Sequence, residues 1–352
     1  MSETRQVRPG EELDAGPLEA WLRERLSLPP GPLEIEQFPG GHSNLTYLLR
    51  FGDREMVLRR PPFGSKVKTA HDMGREYRVL SHLQGHYPKA PATLACCDGP
   101  EVIGAPFYVM ERVRGVIFRD QRSGTEDLRR LSEELVDGLA ELHAVDYQEA
   151  GLADFGRPEG YVERQVNGWR KRWEGSRTDD VPDIERAAAW LSDHRPVEHG
   201  AVLVHNDYKY DNVVFAPDLS RIVAVFDWEM STIGDPLLDL GTTLGYWVDP
   251  DDDPMLRMLP SGPTTTPGNL SRIEVVQRYA ATTGRNISDG SDAVFAYVFG
   301  LFKIAVIAQQ IYYRFQQGLT KDPRFAAMIT SVKLLGRTAV SALDNGRIDR
   351  LG

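Results

Sequence analysis

The stretch "VHNDYKYDNVVF", Val204–Phe215, carries the pattern His-x-Asp-x-x-x-x-Asn, with His205, Asp207 and Asn212. Phosphoryl transfer to a hydroxyl needs a carboxylate that orients the hydroxyl and accepts its proton, and Asp207 suits that role. An amide oxygen a few residues on, that of Asn212, can bind magnesium, because hard cations prefer oxygen ligands. Lys209 lies where a cation can reach a transferring phosphoryl group. A loop between strands lets these side chains face one cleft. Standing alone, the pattern also suits a His-Asp turn with capping roles. Further along, "VFDWE" puts Asp227 at the end of an apolar strand run, Ile222 to Phe226. A carboxylate in that place is a candidate second metal ligand, with Glu229 close by in the chain.

Upstream, "FPGGHSNLTYLL" sets Gly40, Gly41 and Ser43 between strands. Glycines there let backbone amides approach a phosphate; a plain tight hairpin is the other reading. No Gly-Lys-Ser/Thr ends the loop, so it is not a Walker loop. "EMVLRRPP" then places Arg59 at the end of a strand, beside Arg60. "AHDMGREYRVLSHLQ" reads as a helix, and its Glu76 is the natural ion partner of Arg59, although an ordinary surface pair fits the same spacing.

The ordered set Gly40-Gly41, Arg59, Glu76, His205-x-Asp207, Asn212 and Asp227 resembles the aminoglycoside phosphotransferases, kinase-like enzymes of small molecules. "GDPLLDLG", Gly234–Gly241, strengthens the likeness. Within that group the chain looks like the branch often fused to acyl-CoA dehydrogenases, through "GGHSNLTYLL", "VLRRPP", "AHDMGREYRVL", "YVERQVNGW" and "FDWEMSTIGDPLLDLG". The likeness spans roughly residues 35 to 340.

The resemblance implies an α+β, two-lobe protein-kinase-like fold. The N-lobe would be an antiparallel sheet plus a helix, and the C-lobe mainly helical, with nucleotide in the cleft between them. It implies Asp207 as catalytic base, beside the Lys209 already singled out as a catalytic candidate, and Asn212 and Asp227 as Mg2+ ligands. Gly40, Gly41 and Ser43 would cover the phosphates of ATP or GTP, and Arg59, with Glu76 as its ion partner, would hold them. Met110, Glu111 and Val113 would meet the base, largely through backbone groups. The acceptor would be a small hydroxyl-bearing molecule, aminoglycoside-like or hydroxyacyl and CoA-linked, with a link to acyl-CoA metabolism.

Two departures stand out. Asn206 occupies the usual glycine position between the His and the Asp, and Arg59-Arg60 stands where a lysine is usual. Arginine is a planar fork rather than a point charge, and the sequence leaves open which of the two takes the role. These departures motivate a second reading, a nucleotide-binding module with little or no catalysis. No Ala-Pro-Glu follows Asp227, which argues against a protein kinase.

The remaining sequence bounds these readings. With 352 residues, 41% of them hydrophobic, the chain can bury a large core. It divides into an N-terminal helical extension (1–30), an N-lobe (31–110) and a C-lobe (111–352). The N-lobe order reads strand, strand, strand, helix, strand. A formal charge of −10 argues against nucleic-acid binding. The adjacent Cys96 and Cys97 build no disulfide framework, and the polar N-terminus lacks an apolar signal core, so a cytoplasmic protein is expected. "AVFAYVFGLFKIAVIAQQ", Ala293–Gln310, is the most membrane-like segment. Lys303 sits inside it, and it reads as a buried core helix with no membrane partner. The acidic run Asp249–Asp253 lacks calcium-loop spacing and reads as a solvated turn. His82 and His86 read as structural or surface residues. "RQVNGWRKRW", Arg164–Trp173, either lines an acceptor site or is a helix with a tryptophan core face and a solvated basic face. Asp154-Phe155-Gly156 copies a kinase metal motif but precedes Asp207, so it reads as a turn.

Overall fold

The computed structural model describes residues 3–39, 44–63, 72–119, 127–259, 261–287, 290–320 and 322–351. They fall into two units. The first comprises Met1–Gly115 and Val223–Ser231, the second Val116–Ile222 and Thr232–Gly352.

In the first unit, α1 (Ala15–Arg25) precedes β1 (Glu34–Gln37), β2 (Leu45–Phe51), β3 (Arg54–Arg60), α2 (Met73–Leu83), β4 (Thr93–Cys97) and β5 (Phe107–Glu111). The strands form one antiparallel sheet in the order β1-β2-β3-β5-β4. Strand alternation decides what each face carries. Tyr47, Leu49 and Phe51 of β2, Met56 and Leu58 of β3, and Phe107 and Val109 of β5 share one core with Leu18 and Leu22 of α1. Each fully buried leucine contributes about 1.5–3 kcal/mol, so α1 is part of what stabilises the sheet. Asp14 caps α1 by accepting from the Gly16 N–H at 3.2 Å, and Asp72 caps α2 by accepting from the Arg75 N–H at 2.9 Å. β4 is absent from the strand order read in the sequence. Its "TLACC" has no run of large alternating apolar residues, and it forms an edge strand with a register shift between Thr93 and Ala95.

The chain then runs through α3 (Leu128–His143), α4 (Tyr161–Ser176), α5 (Pro182–Asp193), β6 (Val202–Val204) and β7 (Val213–Phe215). β8 (Ile222–Val225) leads into the short segment of the first unit. β9 (Thr232–Gly234), α6 (Pro236–Gly245), α7 (Arg272–Thr283), α8 (Gly290–Gln316) and α9 (Met328–Asn345) follow. β6 and β9 pair antiparallel, Val202 opposite Gly234 and Val204 opposite Thr232. The apolar window of α8 is 78% buried, as the core reading of that segment requires. A Cβ on Gly300 of α8 would overlap the Gly241 carbonyl of α6, and a Cβ on Gly241 would overlap the Ala296 carbonyl. Only glycine permits this approach, and it sets the polar residues of the two helices side by side.

Asp249 and Asp252, expected in a solvated turn, are 2% and 3% exposed. The wholly buried Arg272 donates to both Asp252 oxygens, at 2.5 and 2.6 Å. A guanidinium that far from water needs carboxylates beside it, and the acidic run supplies them. On α4, Trp169 and Trp173 are buried while Arg170, Lys171 and Arg172 are exposed, so the tryptophan-core reading holds for that helix.

Candidate active site

In the first unit, the alternation of β3 separates the two arginines. Arg60 lies on the face of Met56 and Leu58, and its guanidinium donates to the carbonyls of Pro61 and Ile103 and stacks over Phe63 at 3.7 Å. Arg59 lies on the opposite face. Its Nη1 donates to Glu76 Oε1 on α2, and its Nη2 donates to Asp227 Oδ1 at 2.9 Å. Arg59 is thus the arginine that meets Glu76, and one guanidinium holds two carboxylates. Burial opposes its charge, but Glu76, Tyr108 and Asp227 outweigh burial and hold its pKa well above the usual arginine range.

Asp227 lies two residues beyond β8, in the left-handed region, at φ +69°. A non-glycine residue there costs about 1–2 kcal/mol. The next residue, Trp228, anchors the turn: it is 1% exposed, donates to the Val225 carbonyl at 2.8 Å and meets Tyr87 edge-on. Asn44 Nδ2 donates to Glu229 Oε2 at 3.0 Å. Gly40, Gly41 and Ser43 lie outside the described residues. Met110 is buried in β5. Glu111, at the end of that strand, donates its N–H to the Ala92 carbonyl and accepts the Ala92 N–H on its carboxylate, both at 2.8 Å. Val113 is half-buried in the segment beyond.

In the second unit, Asp207, Lys209 and Asn212 come together after β6. Lys209 Nζ lies 3.1 Å from Asp207 Oδ1 and 3.0 Å from Oδ2. Asn212 Nδ2 donates to Asp207 Oδ2 at 2.7 Å and to the Asp207 carbonyl at 2.8 Å. The amide thereby uses its NH2 side, so Oδ1 is the atom Asn212 can offer a cation. Lys209 also sits 4.2 Å from the Tyr246 ring centroid. Burial works against its charge, and Tyr246 and Asp207 outweigh that, raising its pKa.

The loop is held from beneath by residues that the motif reading gave no role. Asp239 of α6 is fully buried and accepts the N–H groups of His205 and Asn206, at 2.7 and 2.6 Å. His143 Nε2 lies 3.0 Å from Asp239 Oδ2, and its Nδ1 lies 2.5 Å from the Tyr279 hydroxyl. Burial alone would raise the Asp239 pKa; the bond to His143 and the loop N–H groups bring it below the ordinary value. Thr243 donates to the Tyr208 carbonyl at 2.9 Å. Lys303 of α8 reaches the Asn206 carbonyl at 2.7 Å. Asp239 stands inside the quoted "GDPLLDLG", and Lys303 is the lone charge of an apolar run, so both carried a visible signal.

Asn206 itself has φ +66°. The glycine of the resembled pattern is explained by this conformation, and asparagine is among the few other residues that tolerate it. Its side chain meets the Tyr161 hydroxyl, Nδ2 donating at 3.1 Å. The Asp154-Phe155-Gly156 look-alike is a turn with Asp154 exposed. Thr232 donates to the Phe155 carbonyl at 3.3 Å, and a Cβ on Gly156 would meet the Ile233 nitrogen at 2.6 Å.

A cavity of ≈ 270 Å³ adjoins Lys209 within the second unit. Tyr246, Trp247, Leu256, Leu259, Met328 and Leu335 supply much of its apolar lining. Ser261 also lines it, and its buried hydroxyl has no hydrogen-bond partner among the described residues.

Residues 34–271 match the model of the phosphotransferase enzyme family. Acyl-CoA dehydrogenase family member 10 of Mus musculus is 35% identical over 346 residues, covering 97% of the chain and 32% of that protein. The chain therefore spans about a third of that relative's length. A Ralstonia eutropha crystal structure with the provisional name aminoglycoside phosphotransferase is 31% identical, with a TM-score of 0.77 over 92% of the chain and 96% of its own. Choline kinase from Cryptosporidium parvum is 15% identical, with a TM-score of 0.62 over 96% and 98% of the two chains, a likeness of fold. The fold is kinase-like, and the chain belongs to the phosphotransferase enzyme family.

Proposed function

We propose that the protein is a Mg2+-dependent kinase that moves the γ-phosphate of ATP or GTP to a hydroxyl of a small molecule. The observation that carries this reading is the Asp207 carboxylate, ion-paired with Lys209 and bonded by Asn212. Asp207 would orient the acceptor hydroxyl and take its proton. Lys209, kept cationic, would face the charge that develops on the transferring group. Arg59, backed by Glu76, would face the nucleotide phosphates. Magnesium takes one or two protein oxygens and fills its remaining positions with phosphate and water. Asn212 Oδ1 and the Asp227 carboxylate are hard oxygen donors of that kind, and the ion would supply charge neutralisation. Met110, Glu111 and Val113 would frame the base.

For the acceptor, the apolar lining beside Lys209 supports a molecule with a hydrocarbon part, such as a hydroxyacyl group or its CoA thioester. Placing a polycation against that lining would strand charge on hydrocarbon. The similarity to proteins named for acyl-CoA dehydrogenation supports the same class. The test is nucleotide-dependent phosphate transfer across a panel of hydroxyacyl thioesters, free hydroxy acids and aminoglycosides. Transfer to hydroxyacyl acceptors is expected; transfer confined to aminoglycosides would overturn the acceptor class.

One observation favours a second reading. Arg59 holds Asp227 Oδ1, a proposed metal-ligating group. A module that binds nucleotide and turns over little would show magnesium-dependent binding with no transfer to any member of the panel.

A further inference from the structure

Lys303 lies in the apolar helix α8 and is 1% exposed. A buried ammonium must find acceptors or give up its proton. Nζ meets three oxygens: the Asn206 carbonyl at 2.7 Å, Asn206 Oδ1 at 3.3 Å and Thr242 Oγ1 at 3.1 Å. The Trp169 ring centroid lies 5.7 Å away. Two of the three bonds fall on the residue that immediately precedes Asp207. The N–H of that same residue is held by Asp239. Asn206 is therefore gripped at both ends of its backbone, by a carboxylate on α6 and an ammonium on α8.

Glycine at 206 would reach the same left-handed φ without offering a side chain. Asparagine adds Oδ1 for Lys303 and Nδ2 for Tyr161. The residue thus does a glycine's conformational work and also supplies an acceptor to the lysine.

We infer that Lys303 is a positioning residue, which sets the direction of the Asp207 carboxylate by holding Asn206, and that the asparagine at 206 is matched to it. The inference rests on the reading of Asp207 as the base. The groups that face the ammonium are Asp207 and Lys209 on the loop, Asp239 on α6 and Arg172 on α4. Burial is the strongest influence and brings the Lys303 pKa down to about 8. The grip therefore weakens as the pH rises past that value.

The experiment compares the full chain with Lys303→Met, Asn206→Gly and the double variant, using magnesium-ATP turnover, nucleotide KM and thermal melting from pH 6.5 to 9.5. Lys303→Met is expected to lower kcat by about ten- to a hundredfold, the scale of a displaced catalytic group. Its nucleotide KM should stay within about twofold, because the nucleotide groups are elsewhere. Its melting temperature should change little, since the lost cost of burying an ammonium offsets the donor lost to the oxygens it met. The wild-type kcat should decline above about pH 8, and that limb should be missing in Lys303→Met. Asn206→Gly should lower kcat in the wild type but add nothing in the Lys303→Met background. Unchanged kcat in Lys303→Met, a fall that merely tracks lost folded protein, or additive effects in the double variant would overturn the inference. If Lys303→Met does not fold, Lys303→Gln carries the same comparison. Turnover that survives in Asp207→Asn removes the base and this inference together. Turnover lost in Asp207→Asn but intact in Lys303→Met removes the lysine's role alone.

Discussion

Asp227 and Asp207 are two proposed active-site carboxylates supported in opposite ways. Asp227 is met directly by charge: Arg59 reaches across from β3 and holds it together with Glu76. Asp207 receives Lys209 and Asn212 from its own loop, and its deeper support acts on the backbone before it, through Asp239 and Lys303 on Asn206. Each depends on a left-handed residue, Asp227 itself in one case and Asn206 in the other. In the first arrangement a side chain is aimed by its ion pair. In the second it is aimed by a peptide held fast beneath it. Perturbing the first should change charge and stability together, whereas perturbing the second should change geometry.

The largest effect is expected where charge is removed directly. Asp227→Asn keeps a residue that tolerates positive φ and deletes the carboxylate's charge. Magnesium-dependent turnover should fall by at least about a hundredfold, the scale of several kcal/mol supplied by a metal site. Asp154→Ala, in the look-alike turn, should leave turnover unchanged in the same assay. Equal losses in both would erase the distinction between motif and look-alike.

Next is stability in the first unit. Glu76→Ala leaves the buried Arg59 with Asp227 as its remaining carboxylate, and breaking a buried pair in this way costs about 3–5 kcal/mol. Urea unfolding should show a lower midpoint. A loss below about 1 kcal/mol would mean that the cluster is wetter than its burial implies.

The buried lysine of the second unit should show itself in pH. Its folded pKa of about 8 is below the ordinary 10.5, so between these values the unfolded chain binds the proton and the folded chain does not. Stability contributed at this site therefore rises with pH across that window, by about 3 kcal/mol in total, and the full cost of the buried charge stands below pH 8. Lys303→Met should flatten this rise. A rise that persists in the variant belongs to another group.

The smallest effect is conformational. Asn206→Ala places a Cβ residue without a local hydrogen-bonding side chain at φ +66° and should destabilise by about 1–2 kcal/mol, with Asn206→Gly close to neutral. Similar melting temperatures for the two would show that the strain is relieved elsewhere.

This contrast also separates what the sequence revealed from what it concealed. Arg59, Glu76 and the β2–β3 hairpin were legible because strand alternation and a short strand-helix spacing bring them together. Asp207 and Asn212 were legible as a pair because they lie five residues apart in one loop. Asp239 and Lys303 lie 33 and 97 residues from Asn206. Their meeting depends on the glycine-permitted approach of α6 and α8, which no local pattern encodes. The choice between Arg59 and Arg60 required the sheet's facing, which only the partner strands and α1 determine. The burial of Asp249 and Asp252 is not encoded locally, because it depends on Arg272, twenty residues beyond Asp252 and itself buried.

The most direct measurement is single-turnover phosphate transfer from magnesium-nucleotide to a hydroxyacyl acceptor, in wild type and in Asp207→Asn, with nucleotide affinity measured on both. Loss of the base should slow transfer by about a hundred- to ten-thousandfold while nucleotide affinity stays within about threefold. Transfer by Asp207→Asn at the wild-type rate would contradict the account.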